Sequence, residues 1–256
     1  MSKTVLITGS TSGIGAQLTH LFAKDGYHLI LVSRNKQKLE KQQKQFPNNT
    51  VTIIPLDLTK PNAANDIFTH LTKKKISIDI LVNNAGFGSY GRFHIEDPQT
   101  QLDMIQLNIT TLTQLTRLIT PQMVKRKSGK ILNVASTAAF LSGPLMAVYY
   151  ATKNYVLAFS EALTNELKDY NISVTTLCPG PTTTNFQKTA DLNQSKLLSF
   201  TQSMTAQEVA KQGYNGLINS QTHVIPGFTN QFFIFLPRLL PRNLTTWITR
   251  RVQDFK

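Results

Sequence analysis

Short apolar runs alternate with longer amphipathic stretches along most of this sequence. Apolar runs of this length, without a polar residue at every second position, are typical of strands that are buried on both faces of a parallel sheet. We predict strands at Val5–Ile7, Leu29–Val32, Val51–Ile54, Ile78–Val82, Lys130–Val134 and Ser173–Leu177, and a weaker seventh strand at Thr222–Ile225.

The amphipathic stretches between these runs predict helices. They cover Ile14–Lys24, Asn35–Gln45, Ala63–Lys74, Thr100–Lys127 and Met146–Tyr170. An order in which strands and helices alternate predicts an α/β fold with a doubly wound parallel sheet of about seven strands. No internal repeat, long linker or abrupt change of composition divides the first 180 residues, so we expect a single domain.

Two later segments depart from the alternating pattern. Residues 181–205 are rich in Thr, Ser, Gln and Asn, and we expect a mobile excursion of the kind that forms a lid or a binding loop. The chain beyond residue 225 is aromatic, basic and interrupted by proline. We therefore expect a domain over residues 1–225 and an extension over 226–256, which packs on the domain or at an interface.

Composition indicates a folded globular protein with a marked positive charge. Hydrophobic residues make up 41% of the chain, and 27 Lys and Arg stand against 14 Asp and Glu, which leaves a formal net charge of +13. Such an excess favours a polyanionic partner, which includes phosphate, nucleic acid and anionic membrane. The basic residues are dispersed and no nucleic-acid-binding motif is present, so we expect no nucleic acid partner.

The few cysteines and histidines restrict the chemistry further. The single Cys178 excludes an internal disulfide and a Cys-rich zinc site, and the five histidines show no metal-ligand spacing. The first residues lack the apolar core of a signal peptide, and no apolar stretch reaches the ~20 residues of a membrane helix. We expect a reducing, cytoplasmic setting and no bound metal.

A glycine-rich loop joins the first predicted strand directly to a helix. Glycines at such a turn let the backbone approach a pyrophosphate, and the helix N-terminus presents free N–H groups to it. A tight turn that binds no ligand would explain glycines here as well. The pattern TGxxxGIG resembles the cofactor loop of the short-chain dehydrogenase/reductase family, and it runs Thr8-Gly9-Ser10-Thr11-Ser12-Gly13-Ile14-Gly15.

Further segments resemble the same family, in order, over about residues 3–225. Asn83-Asn84-Ala85-Gly86 follows the fourth strand like the family's NNAG, and Asp57-Leu58 follows the third strand, where the family contacts the adenine. Pro179-Gly180-Pro181-Thr182-Thr183-Thr184 resembles the PGxxxT segment that contacts the nicotinamide carboxamide, with Thr184 in the matching position. The resemblance implies a Rossmann-type fold, a nicotinamide cofactor and hydride transfer.

The end of the second strand indicates which cofactor is used. An acid there accepts the ribose hydroxyls of NAD, whereas the 2′-phosphate of NADP needs a cation, and this sequence has Ser33-Arg34 with no acid. Arg34 offers a planar fork to a phosphate, and Ser10, Thr11 and Ser33 add hydroxyl donors. NADP(H) is therefore favoured. Use of NAD(H) stays open, because Ser12 stands where many NADP-dependent relatives carry a basic residue.

A serine, a tyrosine and a lysine resemble the family's catalytic set. Ser136 follows the fifth strand, and thirteen residues later Tyr149 and Lys153 open a helix in a YxxxK pattern. Residues four apart share a helix face, which puts Lys153 beneath the Tyr149 ring. Tyr150 would also be adjacent to Lys153, but the family pattern selects Tyr149.

The resemblance implies a role for each of these residues. Tyr149 is the general acid or base, and the Lys153 ammonium together with the charge of the nicotinamide is expected to lower its pKa from ~10. Ser136 holds the substrate oxygen, and Asn108 supports a water beside Lys153. Together the motifs predict cofactor contacts at Gly9, Ser10, Thr11, Ser12, Gly13, Ile14, Gly15, Ser33, Arg34, Asp57, Leu58, Asn83, Ala85, Gly86, Tyr149, Lys153, Pro179, Gly180, Thr182 and Thr184.

The loops expected to face the nicotinamide are apolar. Phe87, Phe93, residues 138–141, residues 144–146 and Phe186 predict a pocket for an apolar or acyl-chain carbonyl compound. The predicted function is an NADPH-dependent reductase, and the alternative is a catalytically silent NADP-binding sensor or scaffold. The family resemblance also implies a homodimer or homotetramer that forms through the helices near 100–127 and 146–169.

The chain end predicts an amphipathic, basic helix. Leu240, Leu244, Trp247, Ile248 and Phe255 recur at roughly helical spacing, with Arg250 and Arg251 on another side. Such a helix either packs on the body, as part of the pocket or a dimer contact, or lies on an anionic membrane. This end is also similar to that of bacterial reductases of the DltE type.

Overall fold

The computed structural model describes residues 2–184, 186, 190, 203–235 and 240–254. The strands of its main sheet are β1 (Thr4–Thr8), β2 (His28–Ser33), β3 (Val51–Pro55), β4 (Ile80–Asn83), β5 (Gly129–Val134), β6 (Ile172–Leu177) and β9 (His223–Val224). They are all parallel and lie in the order β3-β2-β1-β4-β5-β6-β9. Two further strands, β7 (Thr182–Thr183) and β8 (Met204–Thr205), pair with each other.

Helices cover both faces of the main sheet. They are α1 (Gly13–Lys24), α2 (Lys36–Lys44), α3 (Ala63–Lys73), α4 (Pro98–Ile105), α5 (Leu112–Arg126), α6 (Ala147–Leu167), α7 (Ala206–Ile218), α8 (Phe228–Phe235) and α9 (Arg242–Gln253). Because side chains of a strand alternate between faces, Ile7 joins the buried cluster of Phe22 in α1, whereas Leu6 joins that of Ile67 in α3. The predicted doubly wound α/β sheet of seven strands is confirmed.

The strand order places the loops that matter for function. β1 lies between β2 and β4, so the chain leaves β1 toward one side of the sheet and returns to the other side for β4. Connections that diverge at the carboxyl ends of two adjacent strands open a crevice between them. The glycine loop after β1 and the NNAG segment after β4 both lie at this crevice.

The predicted helix Thr100–Lys127 is not one regular helix. α4 begins at Pro98, where the Asp97 side chain accepts a hydrogen bond from the Thr100 N–H at 2.8 Å. A π-helical turn at Gln106–Thr111 then separates α4 from α5. A π-helical turn holds about one residue more than an α-helical turn, and the hydrophobic pattern did not predict this interruption.

The predicted excursion over residues 181–205 is described only at its two ends. There, Thr182 pairs with Met204 and Thr183 with Thr205, and the Thr205 side chain then caps α7 through the Glu208 N–H at 3.2 Å. Positions 185, 187–189 and 191–202 lie outside the described residues. None of the helices in the described ranges combines the length and apolarity needed to cross a bilayer.

The predicted amphipathic end corresponds to α9. Leu240 precedes this helix, and Phe255 lies outside the described residues. The Arg251 guanidinium lies over the Trp247 ring, 5.1 Å from its centroid, so the prediction that Arg251 occupies another side is wrong. The spacing of four residues brings the two side chains together on one face.

Candidate active site

A cavity of about 920 Å³ runs along the carboxyl ends of the central strands. It extends from Arg34, just after β2, past the glycine loop and the NNAG segment to Tyr149 at the start of α6. In doubly wound sheets the crevice at these strand ends is where ligands bind. Residues of α8 and α9 close the far end of the cavity.

Close packing makes the glycines of the first loop necessary. Gly9 and Gly13 have φ values of +65° and +53°, which side chains rarely allow. A Cβ atom on Gly15 would lie 2.3 Å from the Gly9 carbonyl oxygen and 2.4 Å from Asn84 Nδ2. The loop therefore exposes bare backbone to the cavity, as a pyrophosphate cradle at a helix N-terminus requires.

Asn84 braces the glycine loop. Its side-chain Nδ2 donates to the carbonyl oxygens of Thr8 and Gly9 at 2.9 and 3.1 Å, and the N–H groups of Asn84 and Ala85 both donate to Thr8 Oγ1 at 3.0 Å. Asn84 borders the cavity but was absent from the predicted contacts. The position of Asn84 directly after the predicted fourth strand could have indicated that it lies beside the glycine loop.

Asn83, which was predicted to contact the cofactor, does not border the cavity. Its side chain is buried and donates hydrogen bonds to Thr116 Oγ1 and Asn133 Oδ1, both at 2.9 Å. Successive side chains of a strand point to opposite faces, and Asn83 is the last residue of β4. It therefore ties β4 to β5 and α5, while Asn84 faces the loop.

Two other predicted contacts also lie behind the cavity wall. Ser10 is fully buried, and its carbonyl oxygen accepts a hydrogen bond from Gln42 Nε2 at 2.8 Å, which fixes the loop to α2. Gly15 lets the helix start pack against the Gly9 carbonyl oxygen, because it has no Cβ atom to occupy that space. The structure therefore supports Thr11 and Ser33, but not Ser10, as hydroxyl donors to the cavity.

The Arg34 end of the cavity carries a second cation. Thr11 Oγ1 and Ser33 Oγ lie 2.8 Å apart there, and Lys38 borders the cavity together with Arg34. The Asn35 side chain accepts a hydrogen bond from the Lys38 N–H at 2.9 Å, which starts α2 and fixes Lys38 in its first turn. The sequence prediction missed Lys38, although its spacing of four residues from Arg34 was visible.

Asp57 borders the same region and is ionised at neutral pH. Burial raises the pKa of its carboxyl group, but two hydrogen bonds from Thr59 and the charges of Arg34 and Lys60 outweigh burial and leave the pKa below its usual value. The Thr59 N–H and Oγ1 donate to Asp57 Oδ1 at 3.0 and 2.9 Å. Asp57 thus supplies an acceptor on the cavity wall, and Leu58 lines the cavity next to it.

The structure brings Ser136, Tyr149 and Lys153 together on one wall. Ser136 Oγ accepts a hydrogen bond from the Ala138 N–H at 3.1 Å, which caps a short 3₁₀ turn at Thr137–Phe140. The Ser136 hydroxyl also donates to the Pro179 carbonyl oxygen at 3.4 Å, and it is near enough to the Tyr149 phenol to lower the pKa of that group. Lys153 Nζ lies 5.8 Å from the centroid of the Tyr149 ring, one helical turn away.

The pKa of Tyr149 is raised in the protein by itself. Burial raises it to about 12, although the hydrogen bond with Ser136 lowers it. The predicted lowering combines Lys153 with the charge of the nicotinamide and stays a prediction; in the protein by itself, loss of hydration of the phenolate has the larger effect on this pKa. The phenol is therefore protonated at neutral pH.

Lys153 is buried and still cationic at neutral pH. Burial lowers its pKa to about 8, against the opposite influence of the Cys178 thiol. Its Nζ donates a hydrogen bond to the Val134 carbonyl oxygen at 2.9 Å. This bond fixes the ammonium group at the end of β5, beside the Tyr149 ring.

Asn108 does not border the cavity, although it was predicted as a site residue. It lies in the π-helical turn, and its Nδ2 donates to the Phe87 carbonyl oxygen and to Thr152 Oγ1, both at 3.0 Å. A Cβ atom on Gly86 would lie 3.0 Å from Asn108 Oδ1 and 3.4 Å from Lys153 Nζ. Asn108 therefore positions the Gly86 loop against α6.

The remaining walls are mostly apolar. Phe87, Leu141, Met146 and Phe186 border the cavity as predicted. Phe93 does not, because its side chain projects into solvent with 65% of its surface exposed. The predicted contacts Pro179, Gly180, Thr182 and Thr184 also border it, and a Cβ atom on Gly13 would lie 3.1 Å from Thr184 Cγ2.

The chain end contributes walls that the sequence prediction did not name individually. Tyr90 Oη donates a hydrogen bond to the Gln253 carbonyl oxygen at 2.6 Å, and Gln253 Nε2 donates to Tyr150 Oη. These bonds hold the last turn of α9 against α6 and the loop after β4. The residues of α8 and α9 that border the cavity are Asn230, Phe233, Ile234, Thr245, Ile248, Thr249, Val252 and Gln253.

Fold and cavity together define an oxidoreductase of the dinucleotide-binding class. The model of the short chain dehydrogenase family matches residues 3–195. The chain belongs to the short-chain dehydrogenase/reductase family. A nicotinamide cofactor is in keeping with a solved neighbour that contains NADPH.

Several relatives are similar over most of this chain. A very-long-chain 3-oxoacyl-CoA reductase-like protein of Arabidopsis thaliana is 34% identical over 94% of this chain and 78% of its own length. The 17-beta-hydroxysteroid dehydrogenase type 3 of Homo sapiens is 33% identical over 84% and 68%. A short-chain dehydrogenase from Sphingobium yanoikuyae, solved in complex with NADPH, superposes with a TM-score of 0.81 at 29% identity and covers 93% of both chains. The alignments with these two and six further curated relatives cover from 56% to 78% of the relatives' own lengths.

Proposed function

We propose that this protein is an NADPH-dependent oxidoreductase that reduces a carbonyl group of an apolar or acyl-chain compound to an alcohol, or catalyses the reverse reaction. One observation carries this proposal. A buried, protonated Tyr149 lies beside the Lys153 ammonium and the Ser136 hydroxyl on the wall of a cavity whose other end holds Arg34. An acid, a cation and a hydrogen-bonding hydroxyl at one place suit proton transfer to a carbonyl oxygen.

The cavity fits a nicotinamide dinucleotide. The Gly9 to Gly15 loop forms a cradle that any side chain would fill, and such loops accept pyrophosphate. Arg34 and Lys38 present two cations where a 2′-phosphate would lie, and no acid follows β2 to accept the ribose hydroxyls instead. The bound cofactor supplies or accepts the hydride. The NADPH complex of the Sphingobium yanoikuyae relative is consistent with this preference.

Each residue of the catalytic set has a separate task in the reducing direction. Tyr149 Oη donates its proton to the carbonyl oxygen as negative charge develops there. Ser136 Oγ holds the same oxygen by a hydrogen bond, and its own position is fixed by the Ala138 N–H. The Lys153 ammonium stabilises the phenolate that Tyr149 becomes, because an opposite charge nearby favours the ionised form. It also provides donors for the cofactor ribose.

The walls around this set support an apolar substrate. Phe87, Leu141, Met146 and Phe186 surround the space in front of Tyr149, and α8 and α9 add Phe233, Ile248 and Val252. One relative is named as very-long-chain 3-oxoacyl-CoA reductase-like and another as a 17-beta-hydroxysteroid dehydrogenase, and a long acyl chain and a steroid are both apolar. The similarity to bacterial reductases of the DltE type stays a prediction.

The decisive experiment follows nicotinamide absorbance with NADPH and then NADH against apolar ketones, aldehydes, 3-ketosteroids and 3-oxoacyl thioesters. The proposal expects turnover that needs Tyr149 and is faster at low NADPH than at equal NADH. The alternative of a catalytically silent NADP-binding sensor or scaffold expects NADPH binding without turnover across the panel. The intact Ser136, Tyr149 and Lys153 set favours the enzyme, because a binding protein needs no buried acid beside a lysine.

Two further parts of the proposal concern the setting of the protein. We propose a homodimer or homotetramer that forms through α4, α5 and α6, and light scattering on the purified chain tests it. We also propose a reducing, cytoplasmic setting, in keeping with a single cysteine that is fully buried. The division into a domain 1–225 and an extension 226–256 likewise stays a prediction, which truncation after Ile225 tests through loss or retention of folding.

A further inference from the structure

Exposed apolar side chains are concentrated on the two helices at the chain end. Among the large hydrophobic residues that the described part of the chain exposes, half lie on α8 and α9. Phe228 is 84% exposed and Trp247 is 56% exposed. The exposed apolar residues of this surface, which we call the aromatic face, are Phe228, Phe232, Phe233, Phe235, Leu244, Trp247 and Ile248.

The two helices expose apolar side chains to water, and α9 buries polar ones. α9 buries the polar residues Thr249 and Gln253 and exposes Leu244 and Trp247, while the only buried residue of α8 is Ile234. A surface helix in water normally buries its apolar side. Exposed apolar side chains gathered on neighbouring segments of a folded protein are typically covered by a membrane or by another protein.

The aromatic face is continuous with the mouth of the cavity. Phe233 and Ile248 are both exposed to solvent and line the cavity that contains Tyr149. An apolar compound that enters beside them therefore passes from the aromatic face to the catalytic set without crossing a charged surface of α8 or α9. The aromatic face is therefore suited to deliver apolar substrate to the cavity.

The charge of the chain end favours a membrane over a second protein chain as the partner of the aromatic face. Residues 226–256 contain Arg238, Arg242, Arg250, Arg251 and Lys256 but only one acid, Asp254. Asp254 pairs with Arg250 at 3.5 Å, and Arg251 lies over the Trp247 ring. Two copies of this chain that met through these faces would bring like charges together, whereas anionic headgroups would neutralise them.

We propose that the aromatic face docks on a bilayer rich in anionic phospholipids and that apolar substrate enters the cavity from that bilayer. Aromatic rings insert at the headgroup boundary, and arginines beside them bind the lipid phosphates. Arg251 stacked on Trp247 combines both contacts in one pair.

Trp247 is the only tryptophan of the chain, so its fluorescence reports on this face alone. The experiment titrates the full-length protein with vesicles of phosphatidylcholine and phosphatidylglycerol and with vesicles of phosphatidylcholine only. We expect a blue shift and a brighter emission with the anionic vesicles, loss of most of the response at 0.5 M salt, and co-sedimentation of the protein. Absence of a shift with anionic vesicles would overturn the proposal.

Matched variants separate docking from folding. Phe228→Ser with Phe232→Ser removes two exposed rings that do not border the cavity, and we expect at least a tenfold weaker vesicle response with unchanged turnover of a water-soluble ketone. Tyr170→Ser removes an exposed ring just before β6, at the opposite end of the strands from the cavity, and should leave vesicle binding unchanged. A Trp247 shift that depends on protein concentration without vesicles would instead show that a second copy covers the face, and the bilayer proposal would fail.

Discussion

The side-chain amide of Gln253 donates a hydrogen bond to the hydroxyl of Tyr150, the residue directly after Tyr149. The backbone carbonyl oxygen of Gln253 accepts a hydrogen bond from the Tyr90 hydroxyl at 2.6 Å. The last turn of α9 is thus fixed to α6 beside Tyr149, the proposed proton donor. Because α9 also forms a wall of the cavity, these bonds couple the shape of the substrate end to the position of the chain end.

Substitution Gln253→Ala is therefore expected to loosen α9. It removes the donor to the buried Tyr150 hydroxyl, and a broken buried hydrogen bond costs about 1 to 3 kcal/mol. We expect the free energy of unfolding, measured with urea, to fall by that amount. We also expect the substitution to raise the KM for bulky substrates more than the KM for small ones. Asn243→Ala, on the exposed side of the same helix, is the control and should change neither quantity.

Removal of the Tyr149 hydroxyl should abolish most of the turnover. A positioned general acid contributes about 10² to 10⁴ in rate, so Tyr149→Phe is expected to lower kcat by that factor while NADPH binding is retained. Tyr150→Phe is the matched control, because it removes the neighbouring hydroxyl and leaves the proton donor in place. A Tyr149→Phe variant with full turnover would show that this phenol does not transfer the proton.

The rate of carbonyl reduction should fall as the pH rises through the pKa of Lys153. Burial lowers that pKa to about 8, so the lysine is cationic below this pH and neutral above it. The pKa of Tyr149 is raised to about 12, so the acid form of the tyrosine persists over the same range. Reduction is then constant from pH 6 to 7 and declines above the lysine pKa.

Lys153→Arg tests the origin of that decline, because an arginine stays charged to a pH above ~12. If the variant folds, as its thermal unfolding will show, the decline should disappear or move to higher pH. A decline at the same pH in both proteins would assign it to another group.

Cofactor preference should depend on Arg34 and Lys38. A hydrogen bond to a charged group contributes about 1.5 to 3 kcal/mol, so Arg34→Asp is expected to raise the KM for NADPH by about 10- to 100-fold and to favour NADH. Lys38→Glu should also raise the KM for NADPH and leave the KM for NADH almost unchanged. Lys36→Glu makes the same charge change on the exposed side of α2 and should have a much smaller effect. An unchanged ratio in Arg34→Asp would contradict the proposed 2′-phosphate site.

A methyl group at Gly15 should prevent cofactor binding. Its Cβ would overlap the Gly9 carbonyl oxygen at 2.3 Å, which forces the loop out of its present shape. Gly26→Ala is the comparison, because φ is +75° there but no atom lies within 4 Å, so only about 1 to 2 kcal/mol of backbone strain is added. Cofactor titration and urea unfolding should show loss of affinity in Gly15→Ala only.

Local signals in the sequence were sufficient to predict the helices and strands and most of the residues that border the cavity. The apolar runs predicted the seven strands to within about two residues, because a strand buried on both faces requires such runs whatever its neighbours are. Glycine at positions 9, 13 and 15, and the Tyr149 to Lys153 spacing, also follow from local geometry. Each depends on residues within one loop or one turn.

The residues that lie elsewhere than predicted are those whose contacts are set by distant partners. Asn83 turns toward Thr116 and Asn133, and Asn108 turns toward Phe87 and Thr152. Neither partner set is adjacent in the chain, so no local pattern specified it. The direction of the Tyr149 pKa likewise depends on how completely the folded chain excludes water from the phenol.

By itself the sequence determined a doubly wound sheet, the glycine loop after β1, and Ser136, Tyr149 and Lys153 as the candidate catalytic residues, since periodicity and short motifs are properties of neighbouring residues. Only the tertiary structure decided that α8 and α9 wall the cavity, that Gln253 joins Tyr90 and Tyr150, and that Lys38 stands with Arg34. These relationships join residues that are distant in the chain, and burial and packing become defined only when the whole fold is assembled.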